Sequence, residues 1–224
     1  MPTNRKFVFA NEQIIYHVFN RGVEKRPIFT KSREYSRALE TLKFYRYGSL
    51  PLKFSKFLDL ANDKKDELWK NLDDENVLVE IIAFCLMPNH FHFLLKQKKE
   101  NGISKFISNF SNSYTKYFNT KNKRVGPLLQ GLFKAVFVDS DEQFIHLSRY
   151  IHLNPVTSYL IKTEDLENYQ WSSYFEYLVP KAEKITSSEE VLGFFKSINE
   201  YKKFVLDQVS YARELDKIKH LVLE

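Results

Sequence analysis

The segment Val77 to Gln97 places the tightest limit on what this chain can fold into. Val77 to Met87 (VLVEIIAFCLM) is a near-continuous apolar run of strand length, Pro88-Asn89 is turn chemistry, and His90 to Gln97 (HFHFLLKQ) resumes as a strand. The segment reads as a β-hairpin. Residues two apart in a strand project from one face, so His90 and His92 share a side and Phe91 and Phe93 share the other. One face of the sheet must therefore be covered by apolar side chains, while the other presents two imidazoles.

The rest of the chain supplies strands and helices around that hairpin. Gln13 to Asn20 (QIIYHVFN) reads as a first strand that stops at Arg21-Gly22. Two helices are expected from Ser32 to about Tyr45 and from about Phe54 to Leu72, on either side of the breaker Gly48-Ser49-Leu50-Pro51. After Asn101-Gly102 comes a helix whose Ile103, Phe106, Ile107, Phe110, Tyr114, Tyr117 and Phe118 fall within about 120° of one another, a stripe that must face the core. Asn119 to Gly126 (NTKNKRVG) is a basic, turn-rich loop, and Leu132 to Val138 (LFKAVFV) is another strand. Ser140 and Gln143 match a capping box opening a helix, expected to stop at Asn154 because Pro155 disfavours helical geometry in the residue before it. This order implies an α+β fold with helices packed on an antiparallel sheet. Beyond it, Tyr169-Gln170-Trp171-Ser172-Ser173-Tyr174 is short and aromatic, and Pro180 to Ile185 reads as a linker. Ser187 and Glu190 suggest a second capping box before further helical segments and a charged stretch to Glu224.

Composition narrows the partners. Lys and Arg outnumber Asp and Glu by 34 to 28, a formal charge of +6 that suits a polyanion such as nucleic acid. An aromatic content of 16% can fill a core and also offer flat surfaces to unstacked bases. A single cysteine, Cys85, excludes an internal disulfide and points to a reducing, cytoplasmic setting. No apolar stretch approaches the ~20 residues of a membrane span, and Met1 to Lys6 lack the apolar centre of a signal peptide.

The chemistry-bearing residues lie on the hairpin and on the helix after Ser140. His90 and His92 can offer two imidazoles to one metal ion, although alternating strand histidines are often ordinary half-exposed residues. With Phe144 as the origin of its helical wheel, Leu147 and Ile151 mark a buried stripe on the same side, and Tyr150 and Asn154 fall along one border of that stripe. Tyr150 and Asn154, four residues apart, are thus neighbours along the helix, and His152 points elsewhere. A tyrosine can attack a phosphodiester, but an ordinary phenol is ionised in only about one molecule in a thousand at neutral pH, so a divalent ion is the expected helper. The blander reading of Tyr150 is an amphipathic residue at the edge of a helix contact. Lys121, Lys123, Arg124 and Lys134 are candidate phosphate contacts or simply solvated charges, and His17 reads as a satisfied sheet histidine.

Four blocks in order resemble the HUH single-tyrosine transposases, including the REP-associated tyrosine transposases and their insertion-sequence relatives. They are Tyr16-His17-Val18-Phe19-Asn20-Arg21-Gly22, Leu86-Met87-Pro88-Asn89-His90-Phe91-His92, Gln130-Gly131-Leu132-Phe133 and Arg149-Tyr150-Ile151-His152-Leu153-Asn154-Pro155-Val156, with Trp171-Ser172-Ser173-Tyr174 as a fifth. The resemblance implies a ferredoxin-like sheet in a catalytic domain over residues 1–178, with a helical insert at about 31–75, and a helical extension over 179–224. It also implies His90, His92 and Asn154 as ligands of Mg²⁺ or Mn²⁺ and Tyr150 as the nucleophile. Such enzymes cleave single-stranded DNA near hairpins, leaving a 5′-phosphotyrosine and a free 3′-hydroxyl that can rejoin strands. Compact relatives are dimers whose tyrosine helix serves the partner's histidines, whereas REP-associated members can act as monomers. This chain's insert and tail exceed the compact pattern, and a monomer is expected, with a homodimer with trans active sites as the alternative. The competing class is a domesticated nucleic-acid-binding protein of the same fold without catalysis. A zinc hydrolase is disfavoured by the lack of an acidic general base beside the histidine pair.

Overall fold

The computed structural model describes residues 12–72, 74–179 and 184–209. Its centre is a sheet of β1 (Ile15–Arg21), β2 (Val79–Met87), β3 (His90–Gln97) and β4 (Lys134–Phe137) in the order β2-β3-β1-β4, with every neighbouring pair antiparallel. Between β1 and β2 run α1 (Ser32–Tyr45), α2 (Phe54–Leu58) and α3 (Asn62–Lys70), and between β3 and β4 runs α4 (Gly102–Lys121). This is the β-α-β-β-α-β arrangement of ferredoxin-like folds. After β4 come α5 (Asp141–Thr157), α6 (Tyr174–Leu178), α7 (Glu189–Leu192) and α8 (Ile198–Leu206).

Both faces of the sheet are covered, which is why β2 reads as an almost unbroken apolar run. On one face Val18, Phe84, Phe91 and Phe93 pack against Phe106, Phe110 and Tyr114 of α4 and Ala38 and Leu42 of α1. The stripe expected on α4 is buried there, with Tyr117 partly exposed at its border. On the other face Ala83, Cys85, Met87 and Leu94 meet Phe144, Ile151 and Val156 of α5, backed by Tyr174, Tyr177, Val191, Tyr201 and Val205. A bulge between Ile81 and Ala83 shifts the register of β2 against β3, so strict alternation breaks at this point.

Several boundaries differ from those read in the sequence. The second expected helix is two, α2 and α3, interrupted at Asp59-Leu60-Ala61, where the chain turns so that Phe54 and Phe57 on one side and Trp69 on the other close over Phe44. The helix after Ser140 does not stop at Asn154 but continues to Thr157. Pro155 lacks the N–H that would serve the Ile151 carbonyl one turn earlier, but helical bonding resumes beyond it, with the Asn154 carbonyl accepting from the Ser158 N–H at 3.1 Å and the Ser158 hydroxyl at 2.7 Å. The expected capping box at Ser187 and Glu190 does not form. Ser188 occupies the cap position of α7, the Ser187 N–H donates to Ile81 O in β2, and Glu190 pairs with Lys96 at 2.8 Å. A cap of that type opens α8 instead, where Ser197 Oγ accepts from the Glu200 N–H. Most of the expected linker, residues 180–183, and the charged stretch beyond 209 lie outside the described residues.

The β2-β3 turn is fixed from outside. Neither Pro88 nor Asn89 takes positive φ, the backbone that two-residue hairpin loops usually favour. Pro88 O accepts from the Ile28 and Phe29 N–H groups at 2.7 and 2.9 Å, and Asn89 O accepts from Gly22 at 2.8 Å. Gly22 is required here, because a Cβ would lie 2.3 Å from Arg26 O. Among the described residues no helix is long and apolar enough to cross a membrane.

Phe110 lies at the centre of the aromatic layer, against Phe91 and Phe93 at ring separations of 5.3 and 5.4 Å. Truncation to alanine is expected to cost about 3–5 kcal/mol in denaturant unfolding. The same change at Phe175, 48% exposed, should stay within about 0.5 kcal/mol.

Candidate active site

The sheet register brings the candidate residues to one face. His17 stands opposite Leu94, Phe19 opposite His92 and Arg21 opposite His90, so these side chains share a side with the imidazoles, away from α4. Helix α5 crosses that face and sets Tyr150 at its rim. The Tyr150 ring lies 5.5 Å from that of His92 and 6.0 Å from that of His17, edge-on in both cases, and the residue is 38% exposed. One turn further along, Asn154 is buried and its Oδ1 lies 3.3 Å from His90 Nε2. Tyr150, Asn154, His90 and His92 thus converge within a single chain.

The second nitrogen of each imidazole is occupied from behind. His90 Nδ1 is 2.6 Å from Asn89 Oδ1, and the neutral tautomer that donates through Nδ1–H to this acceptor leaves a lone pair on Nε2. The Asn89 amide nitrogen donates to Lys25 O, which fixes the direction of that side chain. His92 Nδ1 is 2.9 Å from His17 Nε2. Burial pushes the His17 imidazole down to about 4, so it is neutral and able to accept. When His92 donates through Nδ1–H to His17, its own Nε2 presents a lone pair outward. Such back-bonding orients histidine ligands in metal sites.

In the Nδ1–H tautomer His90 Nε2 and Asn154 Oδ1, 3.3 Å apart, are both acceptors, whereas an Nε2–H would donate to the amide oxygen. Two donors on adjacent vertices of an octahedron around an ion ~2.1 Å away would be about 3.0 Å apart, so the pair suits a small divalent cation. Two imidazole nitrogens and one amide oxygen are the groups there that could hold such an ion. Among the described residues no group of three or more His, Cys, Asp and Glu side chains is arranged to hold a metal. Cys85 pairs with His92 across the strands, but it is fully buried and its thiol is pushed up by that burial, which removes thiolate chemistry.

The four basic candidates separate. Lys134 faces the site, its Nζ 6.0 Å from the Phe19 ring. Lys121 ends α4 and bonds the buried carboxylate of Glu34 at 2.8 Å, on the side of the sheet opposite Tyr150. Arg124 donates to Asn119 Oδ1 at 2.7 Å and to Pro127 O, holding its own loop together, and Lys123 is an exposed residue of that loop. Sequence reasoning missed the place of His17 behind His92. The signal lay in the β1 motif, where His17 and Phe19 alternate with Val18, but only the register shows which strand histidine they meet. It also set His152 aside, and that residue is fully buried beneath α8, with its imidazole pushed down by burial to about 3.

Both buried histidines should make acid destabilising. Their folded values, about 4 and about 3, lie below the ~6.5 of an unfolded histidine, so the unfolded chain binds more protons below pH 6.5. The stability present above pH 6.5 is then lost progressively as pH falls toward those folded values. Denaturant melts with a chelator present should show a loss of about 2 kcal/mol between pH 7.5 and 5.5. Two imidazole resonances should remain untitrated over that range, and titration of both near 6.5 would contradict the burial described.

Residues 60–154 match the family model described as "Transposase IS200 like", a span that runs from the end of the helical insert through β2, β3, α4 and β4 to Asn154. No curated protein matches the sequence. Among solved structures the fold is similar to that of a REP-associated tyrosine transposase bound to a REP hairpin, with a TM-score of 0.53 and 15% identity over 85% of this chain and 93% of the other. A transposase-like protein from Deinococcus radiodurans aligns over 67% of this chain and 95% of the other, with 14% identity and a TM-score of 0.35. A tRNA(His) guanylyltransferase from Saccharomyces cerevisiae aligns over 92% of this chain and 82% of its own at 14% identity and a TM-score of 0.32; neither score bears on the fold. Residues 60–154, which carry the hairpin and the tyrosine helix, are thus similar to IS200-like transposases, and the fold is similar to that of a REP-associated tyrosine transposase.

Proposed function

We propose that this protein is a metal-dependent single-stranded DNA endonuclease and strand transferase that acts beside DNA hairpins through Tyr150. The observation that carries the reading is the convergence of Tyr150 and Asn154, one helical turn apart, on His92 and His90 of the same chain. His90, His92 and Asn154 are the proposed ligands of Mg²⁺ or Mn²⁺, and an amide oxygen beside two imidazoles suits such an ion. When bound, the ion polarises the scissile phosphate and neutralises charge developing on it.

In the cleavage step, Tyr150 Oη bonds to phosphorus as the bond from phosphorus to the 3′-oxygen breaks. The phenol proton is released to solvent, and the departing oxygen takes one up. The resulting 5′-phosphotyrosine keeps the energy of the broken ester available for attack by a 3′-hydroxyl, which rejoins strands. Asn89 and His17 hold the imidazoles in orientation from behind. Lys134, beside Phe19 on the same face, is the proposed phosphate contact, because Lys121 and Arg124 are committed to Glu34 and to their own loop. The arrangement supports catalysis in cis by a monomer.

A labelled hairpin oligonucleotide with single-stranded flanks, incubated with the protein and Mn²⁺, should give a covalent adduct that survives denaturation. Tyr150→Phe should lower its yield by about 10³-fold or more, and chelation should abolish it while hairpin binding persists. An undiminished adduct from Tyr150→Phe, or none from the wild type on any hairpin flanking its gene, would sink the reading. Mixing Tyr150→Phe with a His90→Ala, His92→Ala double variant separates cis from trans. No adduct is expected from the mixture, and restored activity would show that the helix serves a partner.

A further inference from the structure

One cluster of buried polar groups near α5 takes no part in the chemistry proposed above. His152 is fully buried, yet both of its ring nitrogens are bonded. Nδ1 lies 2.7 Å from the hydroxyl of Tyr201 on α8, and Nε2 lies 2.7 Å from Ser173 Oγ. The Tyr201 hydroxyl is also 3.2 Å from Ser148 Oγ, which donates to Ile145 O at 2.8 Å. Ser173 Oγ in turn accepts from the Phe84 N–H of β2 at 2.9 Å.

A single neutral tautomer of His152 is consistent with these contacts. Ser148 gives its only hydroxyl proton to Ile145 O, so the Tyr201 hydroxyl must donate to Ser148. Tyr201 then accepts at its oxygen from His152 Nδ1–H. His152 Nε2, left with a lone pair, accepts from the Ser173 hydroxyl at 2.7 Å, the shorter of that hydroxyl's two contacts, the other being Phe84 O at 3.3 Å. One neutral tautomer satisfies every member of a line that runs from β2 through Ser173, His152 and Tyr201 back to α5.

We propose that this line is a positioning device: His152, anchored by Ser173 and Tyr201, sets the rotation of α5 on the sheet and so holds Tyr150 and Asn154 against the histidines of their own chain. His152 is two residues from each of them, about 200° around the helix from Tyr150, on the side away from the imidazoles. Any rotation of α5 that moved Tyr150 would break the bonds on the far side. Apolar contacts under α5 are non-directional and tolerate such rotation, whereas hydrogen bonds do not. Tyr201 comes from the C-terminal segment, which is further tied to α5 where the Arg149 guanidinium stacks 4.2 Å from the centre of the Phe204 ring. Through Tyr201, the segment after residue 184 thereby acts on the placement of Tyr150.

This inference rests on Tyr150 being the nucleophile, and its test has an arm that does not. Tyr201→Phe keeps the ring and removes the hydroxyl. Single-turnover adduct formation with Mn²⁺ and a hairpin oligonucleotide should slow by about ten- to a hundredfold, with hairpin Kd changed less than about twofold. Hydrogen exchange at residues 145–154 should quicken by about tenfold while β2 and β3 stay unchanged. His152→Ala should act in the same direction, and His152→Asn, with a donor near the Nδ1 position, should recover part of the rate. Wild-type rate and exchange in Tyr201→Phe would overturn the inference, as would faster exchange throughout the sheet, which marks only a loss of global stability. If wild-type protein gives no adduct, the nucleophile reading fails, and exchange in α5 alone decides the positioning role.

Discussion

A slip of β3 by one residue against β1 would bury His90 and His92 among the aromatic rings under α4 and turn Phe91 and Phe93 toward Tyr150. The candidate site therefore depends first on strand register, and several independent contacts hold it. The pairing of β1 with β3 runs unbroken from Ile15 opposite Lys96 to Arg21 opposite His90. The turn at Pro88-Asn89 is held by backbone bonds from Gly22, Ile28 and Phe29, and the close approach that needs Gly22 belongs to the same corner. The rings of Phe91 and Phe93 stack at 4.5 Å and wedge against Phe110, so a slip would also empty a packed aromatic layer. Apolar packing on one face thus determines where two polar side chains point on the other.

The second constraint is that α5 lies between two layers. A β-α-β-β-α-β unit places its two connecting helical segments on one face of the sheet, and here α5 and the segments after it cover the other. A helix so placed has no wholly solvent-facing side over much of its length. Its residues Ile151 to Thr157 are all buried, including the polar His152 and Asn154, and Tyr150 escapes because it lies at the rim. The helix continues past Pro155 within this enclosure, and at its C-terminal end the Ser158 N–H and hydroxyl both donate to the Asn154 carbonyl.

This double burial marks the limit of what the sequence made legible. The hairpin, the α4 stripe and the Ser140 cap were readable because each is a local pattern with one buried side, and they appear as expected. The convergence of Tyr150 with Asn154 was also visible from helical phase, and the distances now support it. A helical wheel assumes a single apolar face, so it placed His152 away from the core stripe and gave it no partner, whereas a second layer carrying Tyr201, 49 residues away, covers it there. Lys121 illustrates the same gap. Its place in a basic loop suggested phosphate, but its partner Glu34 lies 87 residues distant in sequence, and no local pattern discloses a pair that only packing of α1 on α4 creates. The Ser187 and Glu190 motif failed for a similar reason, because Lys96 on the sheet and the Ile81 carbonyl compete for both groups.

Under the proposed ligand set, one electrostatic property of the site stands apart from the rest of the molecule. His90, His92 and Asn154 are all neutral donors, and His17 behind them is kept neutral by burial. A divalent ion held by three neutral groups retains its full formal charge, whereas each carboxylate ligand would cancel one unit. That charge then falls on whatever anion approaches from the open side, where Tyr150 stands at the rim and Lys134 lies across Phe19. The same neutrality weakens the hold on the ion when no anion is present, since nothing among the direct donors offsets its desolvation with opposite charge. A site of this kind favours the ion and the phosphate together over the ion alone. Under the proposed ligand set, donors that carry no charge of their own are what would suit the site to a phosphodiester anion.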